Sequence, residues 1–508
     1  MRQRAGRQGA SRSAADYLSS ERYLQALTGG EVGRAAVLYP NSYAVGMSSL
    51  ATHTLWRLLA EAGWQTHRAF LDPEPGHSLE TGWPLSSYHL LACTCSFELD
   101  YLHLAALLEA GGIPPLRRER SAEAPLLIAG GPGVTANPLP LATLFDLIFL
   151  GEVEEVWPRL AAALRQAPHS RVAALEAAAE VPGILRPDQL PSAPLPRQRL
   201  REVDAYPTAS VALTPKAQFS DMFLVEIGRG CPHTCRFCLA REIFSPFRPR
   251  SEPVLLRTIR PALEATRRVG LVGAALSDHP RLLELCETLV AEGAQLSTSS
   301  LRVDKLQPQL LELLASSGAR SVTLAPEAGT EKLRASLGKR FTDEQVLAAA
   351  EAAQAVGLRG LKLYFMLGLP EETEADRAAI GQLMAEIHCR APRLRLEAAL
   401  SPLVPKPHTP WAEHQMAPVA KMRAWQSAVQ RDLRRQGVRV TVGSARWALV
   451  QAAFSRGGEE LGPVLVAAAR RGGSLPAVRA ALKEAGLRLE DYLAPPAEAP
   501  WKIVDLGA

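Results

Sequence analysis

Three cysteines lie close together in the stretch GRGCPHTCRFCLA. Cys231, Cys235 and Cys238 are three of only seven cysteines among 508 residues. Thiolates are soft ligands that suit zinc or iron–sulfur clusters, and a structural zinc site normally completes four ligands. The chain has no second Cys-x-x-Cys pair, and His233 is too close to its neighbours to be an easy fourth ligand. A four-iron cubane held by three thiolates would keep one iron open for a small molecule.

The cysteines follow the apolar stretch MFLVEIG, which is typical of a buried strand. Further strands are predicted at LVGAALS, QLSTSS, SVTLAPE, LKLYFMLGLP and RLEAALSPLV, with helices between them. Six strands over residues 220–415 predict a partial (β/α)6 barrel, because a complete barrel has eight. Most of these strands end in polar or glycine-bearing segments, which a barrel gathers at its C-terminal rim.

The spacing Cys-x-x-x-Cys-x-aromatic-Cys after the first strand of a partial barrel resembles the radical S-adenosylmethionine (SAM) superfamily, with Phe237 as the aromatic residue. The resemblance implies a [4Fe–4S] cluster on Cys231, Cys235 and Cys238, whose open iron binds SAM. It also implies that an electron from the cluster cleaves the sulfonium, and that the 5′-deoxyadenosyl radical released abstracts a hydrogen from the substrate. A donor such as flavodoxin or ferredoxin would supply the electron.

The resemblance extends to charged and polar residues at the ends of two later strands. Ser300 and Arg302, in LSTSSLRVDKL, would contact the polar groups of SAM. Glu327, in APEAG, would bond a ribose hydroxyl or the amino group. These residue types suit the ligand, because a sulfonium favours carboxylates and the carboxylate of SAM favours an arginine or a backbone nest.

Four more residues are assigned to SAM binding by the same resemblance. Phe237 would pack near the cluster and the nucleoside, and Gly368 and Leu369 would let the backbone approach the adenine. The superfamily often has Gly-Gly-Glu at its second strand, whereas this chain has ALSDHP. Asp278 is therefore the candidate for the contact with the amino group.

Residues 26–180 form a second region of alternating patterns. RAAVLYP, YHLLACTCS, APLLIAGGP and FDLIFLGE are predicted strands, and SSLATHTLWRLLAEAG and DYLHLAALLEAGG are predicted helices. This alternation predicts a doubly wound, Rossmann-like parallel sheet. Such sheets bind ligands at the carboxyl ends of their strands.

These segments resemble the cobalamin-binding-type domain that is attached to many radical SAM enzymes. The turns at Gly46, Met47 and Ser48 and at Gly130 and Gly131 would bring backbone amides close to a flat corrinoid or its phosphate tail. The Asp-x-His-x-x-Gly motif that supplies a histidine to cobalt does not occur in the sequence. Either cobalamin binds without a protein histidine, or the domain is structural.

Three further segments complete the predicted organisation. They are a basic disordered arm over 1–25, a proline-rich linker over 181–219 and a helical C-terminal region over 416–508. Cys93 and Cys95 fall on the same face of a predicted strand, which favours buried small side chains over a second metal site.

The composition is that of an ordinary soluble globular protein, with 47% hydrophobic and 21% charged residues. The net charge is only +5, so binding to nucleic acid is not indicated. No apolar run has the length of a membrane span, and the N-terminus lacks the apolar stretch of a signal peptide. These features predict a cytoplasmic protein without a membrane partner or a disulfide scaffold.

The patterns together predict a radical SAM enzyme that acts on an unidentified small-molecule or peptide substrate, with cobalamin-dependent methyl transfer as one outcome. One alternative is a rearrangement or ring-forming enzyme whose N-terminal domain is structural, and another is a metal-bound interaction scaffold. A methylthiotransferase needs three N-terminal cysteines for a second cluster, and only Cys93 and Cys95 precede Cys231. The polar rim of the predicted barrel disfavours the scaffold.

Overall fold

The computed structural model of the protein describes residues 13–507. Its strands, in chain order, are β1 (Arg22–Tyr23), β2 (Gly33–Leu38), β3 (Trp64–Ala69), β4 (Leu90–Thr94), β5 (Leu126–Gly130), β6 (Leu147–Phe149), β7 (Ile184–Leu185), β8 (Leu195–Pro196), β9 (Ala212–Leu213), β10 (Phe223–Glu226), β11 (Gly228–Arg229), β12 (Arg248–Pro249), β13 (Arg268–Val272), β14 (Gln295–Thr298), β15 (Ser321–Glu327), β16 (Gly360–Leu367), β17 (Arg395–Pro402), β18 (Arg439–Val442) and β19 (Val504–Asp505).

The α-helices are α1 (Ala14–Leu18), α2 (Tyr43–Gly46), α3 (Leu50–Glu61), α4 (Tyr101–Ala110), α5 (Pro132–Ala136), α6 (Leu139–Ala142), α7 (Trp157–Gln166), α8 (Arg171–Ala179), α9 (Leu239–Phe244), α10 (Glu252–Ile259), α11 (Leu282–Ala291), α12 (Pro308–Ser316), α13 (Glu331–Ser336), α14 (Asp343–Ala355), α15 (Glu374–Arg390), α16 (Val419–Arg435), α17 (Ala445–Arg456), α18 (Leu461–Arg470) and α19 (Leu475–Glu484). Short 3₁₀ helices span Leu85–Ser87, Glu98–Asp100, Arg117–Glu119, Val203–Ala205, Arg260–Glu264, Leu276–Asp278, Val303–Lys305, Leu489–Leu493 and Pro500–Ile503.

The described chain divides into two compact units. The barrel unit is Val225–Leu449, and the Rossmann unit comprises residues 13–224 together with 450–507. The predicted helical region over 416–508 is therefore shared between the two units. Residues 450–507 belong to the Rossmann unit because α18 buries its apolar side chains against α4 and α6 of that unit.

A six-stranded sheet in the order β3-β2-β4-β5-β6-β7 forms the centre of the Rossmann unit. Strands β2 to β6 run parallel to their neighbours, and β7 pairs antiparallel with β6. The predicted parallel sheet is thus confirmed. The chain crosses from β2 to β3 on one side and then returns to place β4 on the other side of β2. Ligands in such sheets bind where the strand order reverses, which is here beyond the carboxyl ends of β2 and β4.

The barrel unit contains the predicted partial barrel, whose two sheets have seven strands where six were predicted. Strands β10, β13 and β14 form one sheet, strands β15 to β18 form another, and a bridge between Leu301 and Leu324 joins the two edges. The additional strand β18 lies parallel to β17, inside the region predicted to be helical. Its sequence, RVTV, has the alternation of a strand, but it is only four residues long and begins four residues after the last residue of the long helix α16.

Two segments predicted to be irregular are ordered where the structure describes them. Residues 13–25, from the predicted disordered arm, contain α1 and β1; residues 1–12 of that arm lie outside the described part of the chain. Strand β1 pairs with β9 and strand β8 pairs with β19, so the predicted linker over 181–219 supplies strands. Glu21 is buried and accepts two hydrogen bonds from the guanidinium of Arg68, at 2.7 and 2.8 Å, which fastens the N-terminal segment.

Among residues 13–507, no helix combines the length and the hydropathy required to cross a membrane.

Candidate functional site

The three cysteines lie in one loop that leaves the first strand of the barrel unit. Strand β11 pairs with β12 just before Cys231, and α9 begins directly after Cys238. All three thiols are free; Cys235 is buried, and Cys231 and Cys238 are half-buried. The backbone N–H of Cys238 donates to the carbonyl of Cys235 at 3.2 Å, which closes the loop. The pairing of β11 with β12, the start of α9 and this turn define the course of the loop that carries the thiols.

Burial and neighbouring groups shift the pKa values of two of these thiols upward. Burial raises the pKa of Cys231 to about 11, and the neighbouring Cys238, Cys235 and Asp278 act in the same direction. Burial also raises the pKa of Cys238, an effect that Lys339 opposes. Thiolates in such a place need a bound cation to balance their charge, and iron ions supply it when they displace the protons.

The loop supplies the type and number of ligands that an iron–sulfur cluster requires. Among residues 13–507, no three His, Cys, Asp or Glu side chains converge on a point that would hold one metal ion. A cubane needs no such point, because each thiolate binds a different iron. Three free thiols in one half-buried loop therefore supply the ligand set that a [4Fe–4S] cluster with one open iron requires.

A turn after α13 packs directly on the cysteine loop. The backbone N–H of Arg236 donates to the carbonyl of Leu337 at 3.0 Å. Gly338 has a φ of +87°, and a Cβ at this position would lie 2.6 Å from the carbonyl oxygen of Thr234 and 3.3 Å from the Cα of Cys235. Only glycine suits both the backbone angle and the close approach. The sequence analysis missed Gly338, because a glycine after a helix usually indicates no more than a C-cap.

Lys339 continues from this turn into the site, and it too was missed. Its Nζ lies 2.9 Å from Glu327 Oε1, donates to the carbonyl of Ala325 at 2.6 Å and stands 6.0 Å from the centre of the Phe237 ring. Glu327 has a φ of +70°, and the pairing register of β15 shifts just before it. Such backbone strain is concentrated at functional sites. The structure thus places Glu327 beside the cysteine loop, held by a buried lysine.

Arg302 contacts Cys235 directly. Its Nη1 lies 3.6 Å from Cys235 Sγ, and its Nε and Nη2 donate to the two carboxylate oxygens of Asp304 at 3.0 and 2.9 Å. The backbone N–H of Arg302 donates to Ser277 Oγ at 3.4 Å. Ser300, which the sequence also assigned to SAM, is exposed beyond the end of β14.

Asp278 is bonded to the cysteine loop itself. Its Oδ2 lies 2.7 Å from Nε2 of His233, and both side chains are largely buried. The sequence assigned Asp278 to the amino group of SAM. The structure gives one of its carboxylate oxygens to His233, so Asp278 ties the end of β13 to the loop.

An apolar cluster packs against the cysteine loop through Phe237. Its members are Phe237, Ala328, Leu333, Leu337, Met366, Leu369, Leu403 and Trp411. The rings of Phe237 and Trp411 lie 6.3 Å apart, and Leu369 is buried. Gly368, next to it, has a φ of +82° and donates its N–H to Glu372 Oε2 at 2.8 Å. Phe237 and Leu369, both assigned to SAM from the sequence, therefore share one apolar surface.

One face of β16 carries a residue of this apolar cluster and, further along the strand, an aromatic and a charged side chain. Met366 belongs to the cluster, and because alternate residues share a face of a strand, Tyr364 and Lys362 follow it on the same side. Tyr364 is 37% exposed, and the Nζ of Lys362 lies 5.3 Å from its ring centre and 3.4 Å from Glu397 Oε1. An aromatic ring and an ion pair are thus accessible on this face.

In the Rossmann unit, the turn at residues 46–48 is occupied by internal packing. The Sδ of Met47 accepts a hydrogen bond from Arg68 at 3.1 Å, and a Cβ on Gly46 would lie 2.3 Å from the ring of Phe70. Ser48 Oγ donates to a backbone carbonyl at 2.9 Å and accepts from a backbone N–H at 3.2 Å. The turn predicted to approach cobalamin thus has its contacts inside the unit.

The Gly130–Gly131 turn lies against the end of β4. A Cβ on Gly131 would lie 2.9 Å from the carbonyl of Cys95, whereas Gly130 has no neighbour closer than 3.6 Å. The Sγ atoms of Cys93 and Cys95 are 3.6 Å apart, and both residues are buried, as the strand pattern predicts. A side chain is therefore excluded at Gly131, whereas a Cβ on Gly130 would be in ordinary contact with Phe149.

His103 has an accessible imidazole and lies with Asp100 near the point where the strand order of the Rossmann sheet reverses. The Nδ1–H of His103 donates to the carbonyl of Pro40 at 3.0 Å, and the carboxylate of Asp100 is 3.7 Å away. The side chain of His103 is 39% exposed, and Phe97, which follows β4, is 44% exposed. A histidine fixed through Nδ1 in this way presents Nε2 to a metal. The sequence analysis missed His103 because it considered only the Asp-x-His-x-x-Gly motif.

Comparison with known proteins agrees with this arrangement. The family model for the N-terminal region of radical SAM proteins matches residues 64–187. The model of the radical SAM superfamily matches residues 225–384. An uncharacterized protein of Methanocaldococcus jannaschii is 28% identical over 437 residues, which are 85% of this chain and 91% of that protein. An uncharacterized methyltransferase of Pyrococcus horikoshii is 26% identical over 268 residues, which are 49% of this chain and 55% of that protein.

Among solved structures, the cobalamin-dependent SAM radical enzyme OxsB with aqua-cobalamin bound has a TM-score of 0.51 at 15% identity, over 80% of this chain and 56% of that chain. This likeness concerns the fold. The matched residues 225–384 include the cysteine loop and the strand ends around it. The chain is therefore a radical SAM enzyme, a member of the radical SAM superfamily whose barrel follows that superfamily's N-terminal domain.

Proposed function

We propose that the protein cleaves SAM reductively at the cysteine loop and uses the radical to remove a hydrogen atom from an organic substrate. The observation that carries the proposal is the loop itself, in which three free thiols are fastened beside Arg302, Glu327 and an apolar cluster. When bound to the three thiolates, a [4Fe–4S] cluster supplies one electron and an open iron.

The residues around the loop have distinct tasks in this proposal. Lys339 holds the carboxylate of Glu327, whose second oxygen can accept a hydrogen bond from a ribose hydroxyl or an ammonium group. Phe237, Leu369 and Trp411 exclude water from the nucleoside side. His233 and Asp278 keep the loop in register with the end of β13.

The proposal predicts a product that is simple to measure. Protein purified without oxygen and reconstituted with iron and sulfide should show cluster absorbance. With SAM and dithionite it should then form 5′-deoxyadenosine, which high-performance liquid chromatography detects. The control omits dithionite, because cleavage needs the electron. Absence of both the absorbance and the product would refute the proposal.

The substrate in this proposal lies against the open face of β16. Tyr364 offers a ring for stacking, and the pair Lys362–Glu397 can bind an anionic and a cationic group. Such a surface suits a small molecule or a peptide segment that carries both charges. The proposal places the enzyme in the cytoplasm, with a flavodoxin or ferredoxin as its electron donor.

A second candidate is corrinoid-dependent methyl transfer, and His103 is the observation that favours it. Doubly wound sheets bind ligands where the strand order reverses, which is beyond β2 and β4 in this unit, and Phe97 offers an apolar surface there. His103, fixed through Nδ1, would hold cobalt through Nε2. The Pyrococcus relative described as a methyltransferase and the fold of OxsB support the same candidate.

The second candidate predicts a spectroscopic signature. Protein titrated with hydroxocobalamin at pH 8 and then reduced to the cobalt(II) state should show nitrogen superhyperfine splitting in its electron paramagnetic resonance spectrum. Labelling the protein with ¹⁵N-histidine should change that splitting, and His103→Ala should remove the change, whereas His77→Ala should not. Corrinoid binding without any effect of the label would mean that no histidine holds the cobalt. No binding at all would leave the sheet a structural role.

A further inference from the structure

Arg302 and Asp304 form a pair of opposite charges directly on a cluster ligand. The guanidinium of Arg302 points an N–H group of Nη1 at Cys235 Sγ, 3.6 Å away, while its two other nitrogens, Nε and Nη2, donate to Asp304. The side chains of Arg302 and Asp304 are 15% and 23% exposed, so water screens them only in part. The arginine therefore cannot turn away from the sulfur without losing the bidentate pair.

Charges and hydrogen bonds at a thiolate sulfur change the reduction potential of an iron–sulfur cluster. Uptake of one electron makes the cluster more negative, and no bond forms or breaks. A donor and a positive charge at Cys235 Sγ stabilise the reduced form, whereas a nearby carboxylate stabilises the oxidised form. The two members of the pair thus act in opposite directions on the same equilibrium.

We propose that Arg302 and Asp304 set the reduction potential of the cluster through Cys235, so that a low-potential one-electron donor can reduce it before SAM is cleaved. Arg302 raises the potential, and Asp304 moderates that effect while it fixes the guanidinium at the sulfur. Arg302 is then a positioning and tuning residue at a cluster ligand, whether or not it also contacts SAM. The inference rests on the cluster that the proposed function requires.

The test is a redox titration of the reconstituted holoenzyme without SAM. The electron paramagnetic resonance signal of the reduced cluster measures the reduced fraction at each potential. Arg302→Met removes the donor and the positive charge, and we expect the equilibrium for reduction to fall about tenfold, which is a shift of about 59 mV to lower potential. Asp304→Asn keeps the arginine and removes the negative charge, and we expect a shift of similar size to higher potential.

Opposite shifts separate this role from simple damage to the loop, which would not move the potential in opposite directions. Arg260→Met and Glu292→Gln make the same charge changes in an exposed ion pair of the same unit and should leave the potential unchanged. If Arg302→Met fails to assemble a cluster, the inference is tested by Asp304→Asn alone. A cluster potential in Asp304→Asn that equals or lies below the wild-type potential then overturns the inference. A shift that appears only when SAM is added also overturns it. A wild-type protein without any cluster would refute the proposed function itself.

Discussion

Cys235→Ala is expected to purify with iron near the background level and to form no 5′-deoxyadenosine from SAM. Cys235 is the buried member of the three thiols and the one that Arg302 contacts. Without it only two thiolates remain, which leaves half of the irons of a cubane without protein ligands. Iron analysis and the absorbance of the reconstituted protein measure the loss.

The matched control for this substitution is Cys286→Ala. Cys286 is also buried in the barrel unit, on α11. Each substitution removes one sulfur atom and should lower the free energy of unfolding by about 1 kcal/mol. We therefore expect equal stability in the two variants and loss of iron in Cys235→Ala alone. Full iron content in Cys235→Ala would show that the thiolate ligands have been assigned wrongly.

The fold was largely predictable from the sequence, because strands buried in parallel sheets form apolar runs between helices of regular period. Both the Rossmann sheet and the partial barrel follow from that alternation. Pairings between short, distant segments were not predictable. Strand β8 pairs with β19 across 308 residues of sequence, from Leu195 to Val504, and neither strand has more than two residues. Propensity cannot identify such strands, since their partners alone define them.

The residues of the candidate site could be chosen from the sequence, but the contacts between them could not. The spacing of the cysteines and the rim residues Arg302 and Glu327 could be chosen from local patterns. The partners of those residues are set by tertiary packing: Asp278 bonds His233, and Lys339 bonds Glu327. No local pattern indicates that a turn twelve residues after Glu327 returns to touch the cysteine loop.

Gly338→Ala is expected to retain the fold and to lose most of the cluster iron. The methyl group would point at the carbonyl oxygen of Thr234, 2.6 Å from the new Cβ, and at the Cα of Cys235. Backbone atoms cannot rotate away as a flexible side chain can, so the loop that carries Cys235 must move. A cubane tolerates little displacement of its ligands, and we expect iron content to fall to less than half of the wild-type value.

Gly357→Ala is the control for the strain that alanine suffers at a positive φ, because it has that strain without displacing the cysteine loop. Gly357 also follows a helix of the barrel unit, with a φ of +88° against +87° for Gly338, but nothing lies within 4 Å of a Cβ placed there. Both substitutions put alanine in a left-handed conformation, at a cost of about 1–2 kcal/mol in the free energy of unfolding. Denaturant unfolding of the apo proteins should show this shared cost in both variants and a further loss in Gly338→Ala from the backbone contact, while only Gly338→Ala loses iron. Equal iron content in the two variants would mean that the turn after α13 does not position the cysteine loop.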